Sequence, residues 1–330
     1  MNHLLEVNNL KKYYHTNRGM LHAVDDVSVT IDKGKTLGIV GESGCGKSTL
    51  GKTVLRLVPA TSGTVVFDGK ETTAMSDKEF TAIRPQLQMI FQDPMSSLNP
   101  RMNIHQQIAE PLIIYKVFDD KESREKKIVE LMDTVGLARR YANMYPHELD
   151  GGRRQRIGIA KALALNPKLI VCDEPVSALD VLIQAQILNL LQDLQKDHGL
   201  SYMFITHNLS VVKHISDEIC VMYLGQIVER CPTKELFHKT LHPYTKALLS
   251  AIPVPSLKNR RERIILRGEI SSPISPKDNC RFAPRCVYSK EKCQSCGPQL
   301  EELEENHWVA CHFAREINGF KELAVKRADK

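Results

Sequence analysis

The sequence predicts an α/β fold built on a mostly parallel sheet, and three observations predict it. Gly41-Glu42-Ser43-Gly44-Cys45-Gly46-Lys47-Ser48-Thr49 has the form G-x-x-x-x-G-K-[ST], follows an apolar run and opens a helical pattern. A second apolar run, Leu169-Ile170-Val171-Cys172, ends in two adjacent carboxylates, Asp173 and Glu174. Up to about residue 230, short apolar runs alternate with longer helical patterns, the rhythm of strands and crossover helices.

Thr36-Leu37-Gly38-Ile39-Val40 reads as a buried strand, as do Leu169–Cys172 and Tyr202-Met203-Phe204-Ile205-Thr206. Between the last two, Asp180 suits the N-cap of a helix carrying Ile183, Ile187, Leu190, Leu191 and Leu194, and Gly199 suits its C′ position. Strand, helix and strand in this order imply a right-handed crossover. Residues 104–140 read as helical, with charges concentrated from Asp119 to Lys127, and form an insert in the α/β core. After Cys231 prolines become frequent (Pro232, Pro243, Pro253, Pro255, Pro273, Pro276, Pro284), which marks a linker and a small irregular C-terminal module.

The bulk numbers narrow the class. The chain has 330 residues, 42% hydrophobic and 25% charged, enough for a sizeable core. No run approaches the ~18 apolar residues of a membrane span. The start, Met1 to Glu6, lacks the basic and apolar stretches of a secretory signal, so the expectation is a cytosolic chain that acts at membranes through partners. A formal charge of +6 without basic residues interleaved with aromatics argues against nucleic acid. The short run from Lys258 to Arg267, with Arg260, Arg261 and Arg263, decides nothing.

The motifs carry the chemistry. Glycines let backbone N–H groups fold round phosphates, and the helix that follows adds the positive end of its dipole. Lys47 is placed to reach the β- and γ-phosphates of ATP, and the Ser48 hydroxyl to ligate Mg²⁺. Asp173 would hold the same ion, and Glu174 would polarise the attacking water as general base.

Between these motifs lies Glu148-Leu149-Asp150-Gly151-Gly152-Arg153-Arg154-Gln155-Arg156, which resembles the L-S-G-G-Q signature of ABC ATPases. Taken alone, Gln92 would be a surface amide and His207 a satisfied histidine. In this company Gln92 resembles the family's glutamine loop and His207 its switch histidine. Ser177-Ala178-Leu179-Asp180 resembles its D-loop, and Tyr14 sits where the family stacks an aromatic ring on adenine. The resemblance implies a RecA-like core with antiparallel β and α-helical subdomains, over residues 1–235 with the helical part at 95–165. It also assigns Gly41, Ser43, Gly44, Cys45, Gly46, Lys47, Ser48 and Thr49 to ATP, with Gln92 joining Ser48 and Asp173 at Mg²⁺. Asp150, Gly151, Gly152 and Asp180 would meet the nucleotide held by a second motor chain.

Phe91-Gln92-Asp93-Pro94-Met95-Ser96-Ser97-Leu98-Asn99-Pro100, Glu174-Pro175-Val176-Ser177 and Leu241-His242-Pro243-Tyr244 narrow the resemblance to the oligopeptide/dipeptide/nickel branch of ABC importers, F-type subunit. This implies a D-type ATP-binding partner, two membrane-spanning permease subunits and an external solute-binding protein. It also implies a peripheral position on the cytoplasmic face of the membrane and a C-terminal extension over residues 236–330. Peptide is the expected cargo, with nickel or another small solute as the alternative.

Two features depart from this pattern or add to it. The signature's serine is replaced by Asp150 and its glutamine by Arg153. Two like charges ~4 Å apart at an effective dielectric of ~20 repel by roughly 4 kcal/mol, so a carboxylate here is expected to impair the composite site that this signature completes. Arg153 would offset part of that repulsion. The second feature is the cysteines, nine in all. Cys45, Cys172, Cys220 and Cys231 are scattered, whereas Cys280, Cys286, Cys293, Cys296 and Cys311 cluster in the region about 275–315, which in a reducing compartment suggests a metal before a disulfide. The spacing of Cys280, Cys286, Cys293 and Cys311 suits zinc or an iron–sulfur cluster equally. Asn279–Cys286 and His307–His312 resemble the module that carries a [4Fe–4S] cluster in some members of the branch, with zinc as the alternative and Cys296 as the odd residue.

Overall fold

The computed structural model describes residues 3–252, 263–266, 268 and 272–320. Lys258, Arg260, Arg261 and Arg267, like Pro253 and Pro255, lie outside the described residues. Strands β1 (Leu5–Thr16) and β2 (Gly19–Ile31) form a hairpin, and β3 (Thr36–Val40) leaves it for a second sheet. β4 (Ser62–Phe67) and β5 (Lys70–Glu71) return to the first sheet, which is antiparallel with order β2-β1-β4-β5. The second sheet takes β6 (Leu87–Ile90), β7 (Leu169–Asp173), β8 (Ser201–Thr206), β9 (Glu218–Tyr223), β10 (Gln226–Pro232), β11 (Glu301–Glu304) and β12 (His307–Val309). Its order is β11-β12-β10-β9-β3-β8-β7-β6, parallel from β9 to β6 and antiparallel beyond.

The central strands read as unbroken apolar runs because both faces are covered. Every residue of β3, β7 and β8 is buried. Their side chains alternate between two cores. Leu37, Ile39, Leu169, Val171, Met203 and Ile205 face the antiparallel sheet, where Leu5, Val7, Val65 and Phe67 meet them. Val40, Ile170, Cys172, Tyr202 and Phe204 face the helical side. There the helix Val181–His198 contributes the buried Ile187, Leu191 and Leu194, with Ile183 and Leu190 at its margin. Asp180 caps it by accepting from Ile183 N at 3.0 Å, and Gly199 ends it at φ 63°. Each such apolar side chain contributes roughly 1.5–3 kcal/mol by leaving water.

Between β6 and β7 the described elements are helices only. The longest are Ile104–Ile114, Lys121–Thr134 and Gly151–Leu163. Asn103 and Gln106 form a reciprocal capping box at the first, which tolerates Pro111 in its last turn. The region after Cys231 is more regular than its prolines suggest. β12 pairs with β10 through Glu229 and Val309, so the chain's late residues extend the main sheet. Phe282 packs edge-on against Tyr223 at 5.3 Å between ring centroids and tilts against Tyr244 at 5.5 Å. No described helix is long and apolar enough to cross a membrane.

Candidate functional site

The phosphate loop leaves the buried end of β3 and runs into the helix Lys47–Val54. Two of its glycines are required by space. A Cβ on Gly46, which has φ 106°, would lie 1.9 Å from the Ala23 carbonyl oxygen, and one on Gly41 would lie 2.1 Å from that of Met222. Ser43 and Gly44 are exposed at the loop's crest, Cys45 is buried with burial pushing its thiol up, and Thr49 faces partly outward. The buried Lys47 ammonium donates to the carbonyls of Gly41 at 2.8 Å and Glu42 at 2.9 Å, held in the concavity of its own loop.

Ser48 Oγ donates to Asp173 Oδ1 at 2.6 Å, bringing the loop and the end of β7 together. Burial pushes the Asp173 carboxyl above its usual range, while the Ser48 hydroxyl and the ammonium groups of Lys52 and Lys47 oppose the shift. Glu174 follows at φ 47°, a left-handed conformation that non-glycine residues seldom adopt, fixed by its N–H donating to Ile205 O at 2.9 Å. That conformation turns Glu174 away from Asp173 and toward β6 and β8. Gln92 Nε2 donates to Glu174 Oε2 at 3.2 Å, and His207 Nδ1 lies 3.2 Å from the same oxygen. Residues from four separate stretches of the chain thus meet as Ser48–Asp173 and Gln92–Glu174–His207. Tyr14, on β1, carries the Lys12 ammonium 4.7 Å from its ring centroid.

The signature residues form a second group. Asp150 caps the helix Gly151–Leu163, accepting from Arg153 N at 2.8 Å, and its other oxygen accepts from Arg153 Nη1 at 2.6 Å. A Cβ on Gly152 would lie 2.6 Å from Ile183 Cγ2, so the signature packs on the helix that Asp180 caps. Among the described residues no hydrogen bond or ion pair joins Asp150, Gly151, Gly152 or Asp180 to the phosphate loop.

The metal expectation for the C-terminal cysteines needs correction. Cys280, Cys286, Cys293 and Cys311 line one small cavity of about 10 Å³ beside Phe282 and His312. Yet all are free thiols, and among the described residues no group of three or more His, Cys, Asp or Glu is placed to hold a metal ion. Neither an iron–sulfur cluster nor zinc is supported. The four thiols are packed among Phe282, Ala283 and Phe313, and burial pushes Cys280 and Cys311 up to about 11 and raises Cys286, so they rest as neutral thiols in the metal-free chain. Cys296 Sγ lies apart, 3.7 Å from His312 Nε2.

Two residues at the loop escaped the sequence reading. Tyr244 Oη accepts from Glu42 N at 2.9 Å, and Arg285 donates to both carboxylate oxygens of Glu42, at 2.6 and 3.1 Å. Nothing in local composition or spacing points from Tyr244 to the loop, or from Arg285 to a residue 243 positions away.

Comparison with known proteins agrees with this geometry. The ABC transporter family matches residues 24–177, and the oligopeptide/dipeptide transporter C-terminal region matches residues 228–293. A putative oligopeptide transport ATP-binding protein of Bacillus subtilis (strain 168) is 50% identical over 315 residues, covering 94% of this chain and 96% of the relative. The oligopeptide transport ATP-binding protein OppF of Escherichia coli (strain K12) is 49% identical over 319 residues, covering 93% and 95%. The dipeptide transport ATP-binding protein DppF of Haemophilus influenzae is 48% identical over 315 residues, covering 93% and 96%. An ATP-binding cassette solved as a dimer in a post-hydrolysis state with ADP and Pi superimposes with a TM-score of 0.64 at 30% identity, over 69% of this chain and 98% of that one. Similarity along nearly the whole length, joined to a phosphate loop that meets Asp173 and to the Gln92–Glu174–His207 group that follows in the chain, means that the chain belongs to the oligopeptide/dipeptide branch of the ABC transporters, as an ATP-hydrolysing subunit.

Proposed function

We propose that this chain is one of two motor subunits of a peptide importer, and that the site built on Lys47, Ser48, Asp173 and Glu174 performs its hydrolysis. The observation that carries the reading is the meeting of Gln92 and His207 at one oxygen of Glu174 beside the Ser48–Asp173 pair. Lys47, now on two carbonyls of its own loop, would turn to the β- and γ-phosphates of ATP, with Gly41, Ser43, Gly44, Cys45, Gly46 and Thr49 supplying the cradle and Tyr14 the adenine platform. The hard oxygens of Ser48 and Asp173 fit Mg²⁺, and with the Gln92 amide oxygen they would hold it, where it neutralises charge on the terminal phosphates. Glu174 accepts the proton of the attacking water, and His207 and Gln92 position it.

The division of labour follows the branch. Residues 1–235 form the motor, with the helical part at 95–165, and residues 236–330 form its C-terminal extension, including the cysteine-rich stretch. Val181 and Leu182, 82% and 70% exposed beside Asp180, suit contact with a D-type ATP-binding partner. A groove of about 290 Å³ between β6 and the helix Ile104–Ile114, with Leu57, Phe91, Ile114 and Tyr115 on its walls, suits an apolar element of a permease subunit. Two permeases and an external solute-binding protein complete the assembly, which places this chain peripherally on the cytoplasmic face; nucleic acid has no part in it. Asp150, though partly offset by Arg153, still adds negative charge where the partner's γ-phosphate would sit, so the composite site it completes is the weaker one. The test is ATP hydrolysis by the complete complex in liposomes, with peptides and nickel added separately. Stimulation by peptides supports the reading, and stimulation by nickel alone overturns the cargo.

A further inference from the structure

Glu42 is an awkward residue for a loop that binds a polyanion. Its carboxylate belongs to the phosphate loop, one residue after Gly41, and it is largely withdrawn from water, at 22% side-chain exposure. Arg285 meets it from the far end of the chain with a two-pronged pair, Nη1 to Oε2 at 2.6 Å and Nη2 to Oε1 at 3.1 Å, and is itself 9% exposed. Bidentate geometry fixes orientation as well as charge. The rest of Glu42 is held too. Its N–H donates to Tyr244 Oη at 2.9 Å, and its carbonyl accepts from Lys47 Nζ at 2.9 Å. One loop residue therefore ties the phosphate-binding lysine to two side chains of the C-terminal region.

Neighbouring contacts brace the same place. Arg281 donates to Asp25 and to the Leu224 carbonyl, beside the Tyr223 ring on which Phe282 packs. Tyr223 follows Met222, whose carbonyl oxygen forms the wall that excludes a Cβ at position 41. The segment from Arg281 to Arg285 thus lies against the floor of the phosphate loop.

We infer that Arg285 is a positioning residue for ATP: it neutralises Glu42 and holds it away from the incoming phosphates, so that the C-terminal segment sets the nucleotide affinity of the loop. Without the guanidinium, Glu42 is an uncompensated anion beside a triphosphate. The inference rests on the reading of this loop as the ATP site.

The test is titration of the full-length chain with a fluorescent ATP analogue and Mg²⁺, for wild type, Arg285→Gln, Arg285→Lys, Glu42→Gln and the double variant Arg285→Gln/Glu42→Gln. Arg285→Gln is expected to weaken binding by roughly tenfold, in the ordinary range of coupling between sites. Arg285→Lys should recover part of the loss. Glu42→Gln should bind at least as tightly as wild type, and in the double variant it should restore most of the affinity, because no anion is left to neutralise. A mere brace would not be rescued by removing its own partner. Equal affinity for wild type and Arg285→Gln, or a double variant as weak as Arg285→Gln, overturns the inference. If Arg285→Gln does not fold, Arg285→Lys and Glu42→Gln decide the matter: a Glu42→Gln variant weaker than wild type overturns it. Failure of the wild type to bind the analogue would instead remove the ATP-site reading itself.

Discussion

Gln92 donates its side-chain amide to Glu174 at 3.2 Å, joining the end of β6 to the end of β7 through the oxygen that His207 also approaches. In the proposed reading Glu174 is the general base, so the site's hydrolysis should depend on it. Glu174→Gln keeps the shape and the contact with β6 but removes the proton acceptor. Turnover of the complex should fall by about 10²–10⁴-fold while ATP binding persists, as measured by phosphate release and nucleotide titration side by side. If activity survives that change but not the equivalent change in the partner subunit, the asymmetry between the two sites runs the other way.

Asp150 and Arg153 form the second lever. Their ion pair at 2.6 Å is exposed, so it offsets the carboxylate's charge only in part. In a complex whose own Glu174 is changed to Gln, Asp150→Ser should raise the residual hydrolysis, which comes from the partner's phosphate loop. An unchanged rate would show that the aspartate is tolerated.

Glu229 tests how the late strands are held. It is fully buried on β10 and accepts from His307 Nε2 at 2.8 Å, Leu241 N at 2.7 Å and His242 N at 3.1 Å. Glu229→Ala leaves three donors without an acceptor, at a cost of about 3–5 kcal/mol. The urea midpoint should fall markedly with little change in slope, and Glu229→Gln, which keeps one acceptor, should cost less.

His242 gives the fold a pH dependence. Burial holds its imidazole down at about 4, with the Glu229 carboxylate working the other way. Its Nδ1 accepts from Tyr244 N at 3.1 Å, a role only the neutral ring can fill. The unfolded chain binds this proton below about pH 6.5, and the folded chain resists it until about pH 4. The contribution is therefore complete above pH 6.5 and is lost as pH falls toward 4, by about 3 kcal/mol in all. Urea unfolding of His242→Asn, which keeps a capping acceptor, should show a flatter curve than wild type across that window.

What was legible in the sequence follows from locality. β3, β7 and β8 announced themselves because strands covered on both faces are apolar throughout, and Asp180 and Gly199 because caps have their own chemistry. The phosphate loop and the Asp173–Glu174 pair were readable for the same reason: their composition is set within a few residues. Contacts across the chain were not. Arg285 reaches Glu42, and His307 reaches Glu229, through tertiary packing that leaves no periodic trace. The β11 strand is mostly glutamate and reads as a solvated run until β12 pairs with it. Cysteine spacing records which thiols can meet, and four of them do line one small cavity, but it says nothing of whether they are placed to hold an ion.

The most direct measurement is uptake of a labelled peptide mixture into liposomes that hold the complete complex, with ATP and Mg²⁺ on this chain's side of the membrane and the solute-binding protein on the other. ATP-dependent accumulation of peptide by the wild type, and its loss in Glu174→Gln, are the expected results. Accumulation by Glu174→Gln at the wild-type rate, or no peptide uptake by an assembly that hydrolyses ATP, would contradict the proposed function.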